Sequence, residues 1–221
     1  MTLSSSTSRW PEPRSFTVDV AKGLMQGTGS RYQKRFADLD GLYADASAFA
    51  AQAASAGERI VYDVTDHRPS AQAGDLITGV TRMSPGKVGD EFFMTRGHVH
   101  AVVDRPELYF ALKGRGLMVM ESPDGESRVV ELVPHVACYV PPYWIHRSVN
   151  VGEEDFVMLF CYPADSGQNY DIIARSNGLR QRIVADAGGG WRSVDNSQYV
   201  ARTRAEVDAF MSEATPREAV S

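Results

Sequence analysis

The sequence predicts an all-β sandwich or barrel, and three observations carry that expectation. Residues 59–162 break into a succession of short runs rich in branched and aromatic side chains, at strand-like spacing. Turn signals separate these runs: Ser84-Pro85-Gly86, Asp104-Arg105-Pro106, Gly114-Arg115-Gly116, Pro123-Asp124-Gly125 and Asn150-Val151-Gly152. No helical periodicity falls between them, and the clear helical pattern of the chain lies before Gly57.

Taken in order, residues 1–15 are rich in Ser, Thr and Pro, with Trp10 as the apolar anchor, and read as a loose arm docked across a neighbour. Phe36, Leu39, Leu42, Tyr43, Ala46, Phe49 and Ala53 recur at helical spacing and predict a packing helix over 36–56. Asp38 or Asp40 serves near its start and Gly57 ends it. Strands are expected at 59–65, 75–83, 91–100, 107–112, 117–121, 127–132, 136–140, 146–149 and 156–162. The strand from Glu107 alternates: Glu107, Tyr109 and Ala111 share one face, Leu108, Phe110 and Leu112 the other. An all-apolar outer face demands a cover, either the N-terminal helix or a second subunit. Beyond Tyr170, Arg182 to Ala185, Gly188-Gly189-Gly190 and Trp191 to Val194 read as a hairpin. In the polar tail, Val207, Phe210 and Met211 mark a short amphipathic helix. The organisation is an arm and helix over 1–57, a β domain over 58–175, and a hairpin and tail over 176–221.

Composition bounds the function. At 221 residues the chain suits one domain with extensions. A hydrophobic content of 43% and a charged content of 23% are those of a soluble globular protein. With 28 acidic against 23 basic residues and no basic run, nothing invites nucleic acid. No window approaches the roughly 18 apolar residues of a membrane span, and no leader is visible, so a cytoplasmic protein is expected. Cys138 and Cys161 lie in expected strands and read as buried free thiols. His67 and His135 are expected to be exposed.

One stretch carries chemistry. In Thr95-Arg96-Gly97-His98-Val99-His100, two histidines at i and i+2 share a face if the backbone is extended. Glu107 begins the next strand after a turn, and His146 lies in a third strand context. Three imidazoles and one carboxylate suit a divalent transition metal with positions left for substrate or water.

These residues bring a family into view. His98-x-His100, Glu107 and Gly114 resemble the first cupin motif, and His146-x-x-x-Asn150 after Pro141 resembles the second. Three longer strings are more specific: 94–100, 139–147 and Tyr162-Pro163-Ala164-Asp165-Ser166-Gly167. They resemble the cupin-type glucose-6-phosphate isomerases over roughly residues 60–175. The resemblance implies a cupin double-stranded β-helix, or jelly roll, with a short N-terminal helical segment and a C-terminal hairpin and tail. It implies one divalent transition metal per chain, iron foremost, then manganese, nickel or zinc, on His98, His100, Glu107 and His146. It further implies a sugar-phosphate pocket lined by Tyr62, Thr81, Thr95, Gly97, Tyr109, Tyr162 and Tyr170, with Glu107 as catalytic residue and a homodimer as the assembly. Gln168 stands in that pocket where the family pattern carries His. The spacing from His100 to Glu107, and Tyr143 in place of a motif Gly, depart from the general cupin pattern toward the isomerase form. A metal-dependent cupin dioxygenase and a non-catalytic sugar-phosphate-binding protein remain as alternatives.

Overall fold

A computed structural model describes residues 10–212. In chain order the strands are β1 (Thr17–Asp19), β2 (Leu24–Gln26), β3 (Ser30–Arg35), β4 (Ile60–His67), β5 (Leu76–Met83), β6 (Lys87–Val88) and β7 (Glu91–Phe92). There follow β8 (Glu107–Lys113), β9 (Gly116–Glu121), β10 (Ser127–Leu132), β11 (Ala137–Val140), β12 (Ile145–Asn150), β13 (Phe156–Pro163), β14 (Gln181–Ala185) and β15 (Trp191–Asp195). The helices are α1 (Ala46–Ala56), α2 (Asp171–Arg175) and α3 (Arg204–Ser212). Among the described residues, no helix is long and apolar enough to cross a membrane.

The main sheet runs β11-β8-β13-β5-β4-β3, and β10-β9-β12 and β15-β14-β7-β6 form two smaller sheets. Every strand pair is antiparallel, the all-β jelly-roll arrangement that the motifs imply. Alternation puts Met83, Ala111, Met118, Phe156 and Met158 on the inward faces of their strands, all buried.

The N-terminal third departs from expectation. The hairpin of β1 and β2, and the edge strand β3, were not legible, because their short polar runs lack period-2 alternation. The helix predicted over 36–56 is two pieces. Phe36–Leu39 forms a 3₁₀ turn, with Asp38 accepting from the Arg35 amide at 2.8 Å. Gly41 then turns left-handed at φ +78°, and α1 starts afresh under Asp45, which accepts from the Ala48 amide at 2.8 Å. The apolar periodicity still marks burial correctly: Phe36 stacks on Phe49 with centroids 4.6 Å apart. Gly57 caps α1, its amide bonding the Ala53 carbonyl.

The strand expected over 91–100 shrinks to β7 and three isolated bridges, Met94 to Val149, His98 to His146 and Val99 to Asn169. Gly97 is the reason. Its φ of +73° breaks the ladder, and a Cβ there would lie 2.8 Å from the Arg147 Cβ and 2.9 Å from the His146 carbonyl oxygen.

The outer face of β8 is covered in part, by the N-terminal hairpin and not by the N-terminal helix. Phe16, Val18 and Met25, on and beside the β1–β2 hairpin, pack with Val80, Leu112 and Val157 at one end. Leu108 and Tyr139, opposite each other across β8 and β11, remain 43% and 58% exposed.

The C-terminal hairpin forms as β14 and β15, and β14 reaches β7 through Val184 and Glu91. In α3, Val207 and Phe210 are buried, whereas Met211 is exposed and not part of the packed face. The buried Glu121 anchors this tail: its carboxylate accepts from the Tyr199 hydroxyl at 3.0 Å and Arg202 at 2.8 Å. Cys138 is buried and Cys161 half-buried, both free; burial pushes the Cys138 thiol up to about 11. His135 is exposed, as expected, but His67 is half-buried against the Phe16 ring, 4.7 Å away. Of the expected arm, Trp10 is exposed and residues 1–9 lie outside the described residues.

Candidate active site

Two strands and one irregular segment build the site. Alternation along β8 turns Glu107 and Tyr109 inward. Every residue of β12 is buried, including His146. The segment carrying His98 docks on β12 by reciprocal backbone bonds, His98 N to His146 O at 3.0 Å and His146 N to His98 O at 2.9 Å. The two imidazoles thus meet by cross-strand bridging and not through a shared strand face.

All three Nε2 atoms converge on one carboxylate oxygen. Glu107 Oε2 lies 3.1 Å from His146, 3.2 Å from His100 and 3.8 Å from His98. The ligand atoms of His98, Glu107 and His146 all lie within 4.8 Å of one another, and His100 joins through Glu107. The opposite nitrogens of two rings are occupied: His100 Nδ1 bonds the Arg105 carbonyl at 2.8 Å and His146 Nδ1 the Trp144 carbonyl at 3.0 Å. A carbonyl accepts only, so each Nδ1 donates and each Nε2 faces Glu107.

Nε2 atoms facing a carboxylate at these distances share a positive charge with it, carried by a proton or by a metal ion. Burial, with His146 and His100 alongside, pushes His98 well below the ordinary histidine range. Burial would raise the Glu107 carboxyl, but positive charge shared with His100 and His146 holds it below its ordinary range. The buried Nε2 atoms of His98 and His100 have no hydrogen-bond partner among the described residues. This donor set fits a divalent transition metal.

The supporting layer was not legible in the sequence. Arg105, expected only as part of a turn, clamps Asp165 through Nε at 3.0 Å and Nη2 at 2.7 Å and also meets Asp104 at 2.8 Å. That clamp holds the carbonyl that orients His100.

A cavity opens over His98, Glu107 and His146. Its walls hold Tyr62 of β4, Thr81 of β5, Tyr109 of β8 and Tyr162 of β13, with Thr95 and Gly97 from the segment before His98 and Gln168 and Tyr170 from the segment after β13. All eight residues expected at the pocket therefore line it, whereas His100 sits behind. Thr95 is pinned to Ser148, its amide donating to the carbonyl at 2.9 Å and its hydroxyl accepting from the amide at 3.0 Å. The Tyr170 hydroxyl donates to Gln168 Oε1. Burial raises the Tyr162 hydroxyl to about 12, and burial together with Glu107 raises Tyr109 well above its ordinary range. Both phenols stay protonated donors.

Three arginines on this wall were missed. Arg68 is held by the buried Asp66 at 2.6 Å and reaches the Tyr162 hydroxyl at 3.3 Å. The Arg96 guanidinium lies 5.4 Å over the Tyr170 ring. Arg147 is buried, and burial lowers it to about 10. Arg96 and Arg147 adjoin predicted ligands in sequence, which was the available signal.

Residues 33–201 match the family model of glucose-6-phosphate isomerase. The chain belongs to that family. It is 56% identical over 199 residues to a glucose-6-phosphate isomerase of Sinorhizobium medicae, covering 90% of this chain and 93% of the relative. A glucose-6-phosphate isomerase of Thermococcus litoralis is 39% identical over 191 residues, covering 86% of this chain and 98% of its own. Among solved structures, an oxalate oxidase in complex with the substrate analogue glycolate superposes on 50% of this chain and 55% of its own, with TM-score 0.42 and 14% identity.

Proposed function

We propose that this chain is a metal-dependent aldose–ketose isomerase that interconverts glucose 6-phosphate and fructose 6-phosphate. Family membership supports the reaction. The observation that carries the metal dependence is the convergence of three Nε2 atoms on Glu107 at the floor of a hydroxyl-lined cavity.

His98, His100, Glu107 and His146 would hold one divalent metal, iron first and manganese, nickel or zinc after it. A metal at this place supplies Lewis acidity toward the oxygens on C1 and C2 of the sugar. Glu107 carries a proton between C1 and C2, being ionised and aimed into the cavity. Tyr109 and Tyr162 donate to sugar oxygens as neutral phenols. Tyr62, Thr81, Thr95, Gly97 and Tyr170 take the phosphate end, with Arg68 and Arg96 adding positive charge to the same wall. Gln168 hydrogen-bonds through its amide and orients the ligand; it has no titrating group with which to act as an acid.

The same reading places the protein in the cytoplasm, supported by its two free thiols. It makes the protein a homodimer, supported by the exposed apolar patch at Leu108 and Tyr139.

The experiment is a coupled assay of glucose 6-phosphate formation from fructose 6-phosphate. Chelation should abolish turnover, and iron, manganese, nickel or zinc should restore it to different extents. Turnover in demonstrably metal-free protein would overturn the metal dependence. Oxygen consumption with no isomerisation would point instead to a dioxygenase, and binding without turnover to a sugar-phosphate-binding protein.

A further inference from the structure

Behind the Gly97 wall of the substrate cavity lies a second cavity, of about 270 Å³. Arg96, Arg147 and Arg182 border it, and Arg96, Gly97, Arg147 and Tyr170 are common to both cavities. Arg147 and Arg182 are 6% and 9% exposed. Each has a buried Nε without a hydrogen-bond partner among the described residues.

The bonds that these two side chains do make leave capacity unused. Arg147 Nη2 donates to the Arg96 carbonyl at 2.8 Å, and its Nη1 has only the Met94 sulfur, a weak acceptor. Arg182 Nη1 serves both Glu91, at 2.7 Å, and the Leu42 carbonyl, at 3.0 Å. Gly178 stands beside the rest of that guanidinium, where a Cβ would come within 3.4 Å of Arg182 Nη2. The lining therefore carries three cations against one carboxylate, the exposed Asp40, while Glu91, off the lining, is already paired with Arg182. An uncompensated positive charge in a half-closed cavity is costly unless an anion joins it, and this one persists in a chain of net charge −5.

The geometry points to a second anion site in this cavity, which takes a small phosphate or phosphate monoester beside, and separate from, the site of isomerisation. Planar guanidinium groups match a phosphoryl oxygen set. The shared Arg96–Gly97 backbone runs directly into His98, so an occupant would bear on the substrate cavity through one peptide segment.

The test is calorimetric titration of the full-length protein with orthophosphate, alone and with fructose 6-phosphate in excess. Two components are expected, one displaced by the sugar phosphate and one retained. Ala174→Glu and Gln198→Glu each place a negative charge on the lining of the second cavity from exposed positions outside the first. Each variant should weaken the retained component at least tenfold and leave kcat and KM for fructose 6-phosphate within about twofold. Repeating the titration with glycerol 3-phosphate ranks a monoester against free phosphate. A single component fully displaced by fructose 6-phosphate, or variant isotherms that superpose on the wild type, would overturn the second site. If the protein turns over no fructose 6-phosphate yet keeps an orthophosphate component sensitive to Ala174→Glu, the isomerase reading falls and the anion site stands.

Discussion

The proposed mechanism gives Glu107 two duties, holding a metal and moving a proton, and they separate under substitution. Glu107→Gln keeps the size and one coordinating oxygen but removes the charge and the base. With metal saturating, the variant should stay slower by roughly 10²-fold, the scale of a lost general base. In deuterated water the wild-type product should carry solvent deuterium at C1 or C2. Full recovery of rate with added metal, and no deuterium in the product, would leave Glu107 as a ligand only. Gly97 makes a different demand. A side chain there is strained at φ +73° and meets the Arg147 Cβ and His146 backbone below 3 Å. Gly97→Ala should cost about 1–2 kcal/mol from the left-handed backbone alone, read as a lower thermal midpoint, and should depress turnover by displacing His98. A variant with unchanged midpoint and rate would show that the segment relaxes freely.

Among the elements, β3, β4 and β5 are tied by one buried carboxylate. Asp63 accepts from Arg31 Nε at 3.0 Å and Gln33 at 3.0 Å, with Arg82 3.5 Å away. Burial would raise its carboxyl, but these partners hold it below the ordinary range. A depressed folded-state value stabilises above the unfolded carboxylate pKa, and the contribution is lost as pH falls through the folded value. Asp63→Asn should therefore cost about 1–2 kcal/mol near neutral pH, a figure reduced because Arg31 stands half in solvent. Urea denaturation should show wild type and variant converging in acid. A difference independent of pH would mean that the amide fails for steric reasons and not for want of charge.

For the whole molecule, the proposed homodimer would pack on the outer face of the main sheet. Leu108 and Phe110 face outward on β8, beside Tyr139 on β11 and Leu159 on β13. The cluster under the β1–β2 hairpin takes in Leu112 and Leu159, and the exposed Leu108–Tyr139 end is where the proposed second copy would pack. Sedimentation should show a dimer, and Phe110→Asp should shift it toward monomer with the fold retained by circular dichroism. A wild-type monomer at micromolar concentration would exclude this face as an interface.

The sequence by itself determined the strand succession from residue 60 onward, apart from 91–100, and named the imidazoles and carboxylate that converge and eight residues of the cavity wall, its arginines excepted. Period-2 alternation and histidine spacing are local properties, and the motif strings around them are long enough to be specific. It also determined that Phe36, Leu39, Tyr43 and Phe49 are buried, since apolar periodicity reports a face whether or not the helix is continuous. Only the tertiary structure decided that His98 meets His146 by bridging, that Arg105 and Asp165 steady His100, and that Arg68, Arg96 and Arg147 gather on one wall. Those placements join residues far apart in the chain, and charged side chains carry no periodic signature of where they point. The β1–β2 hairpin belongs with them: its strands are too short to pattern, and contact with Val80, Leu112 and Val157 is what gives it a place.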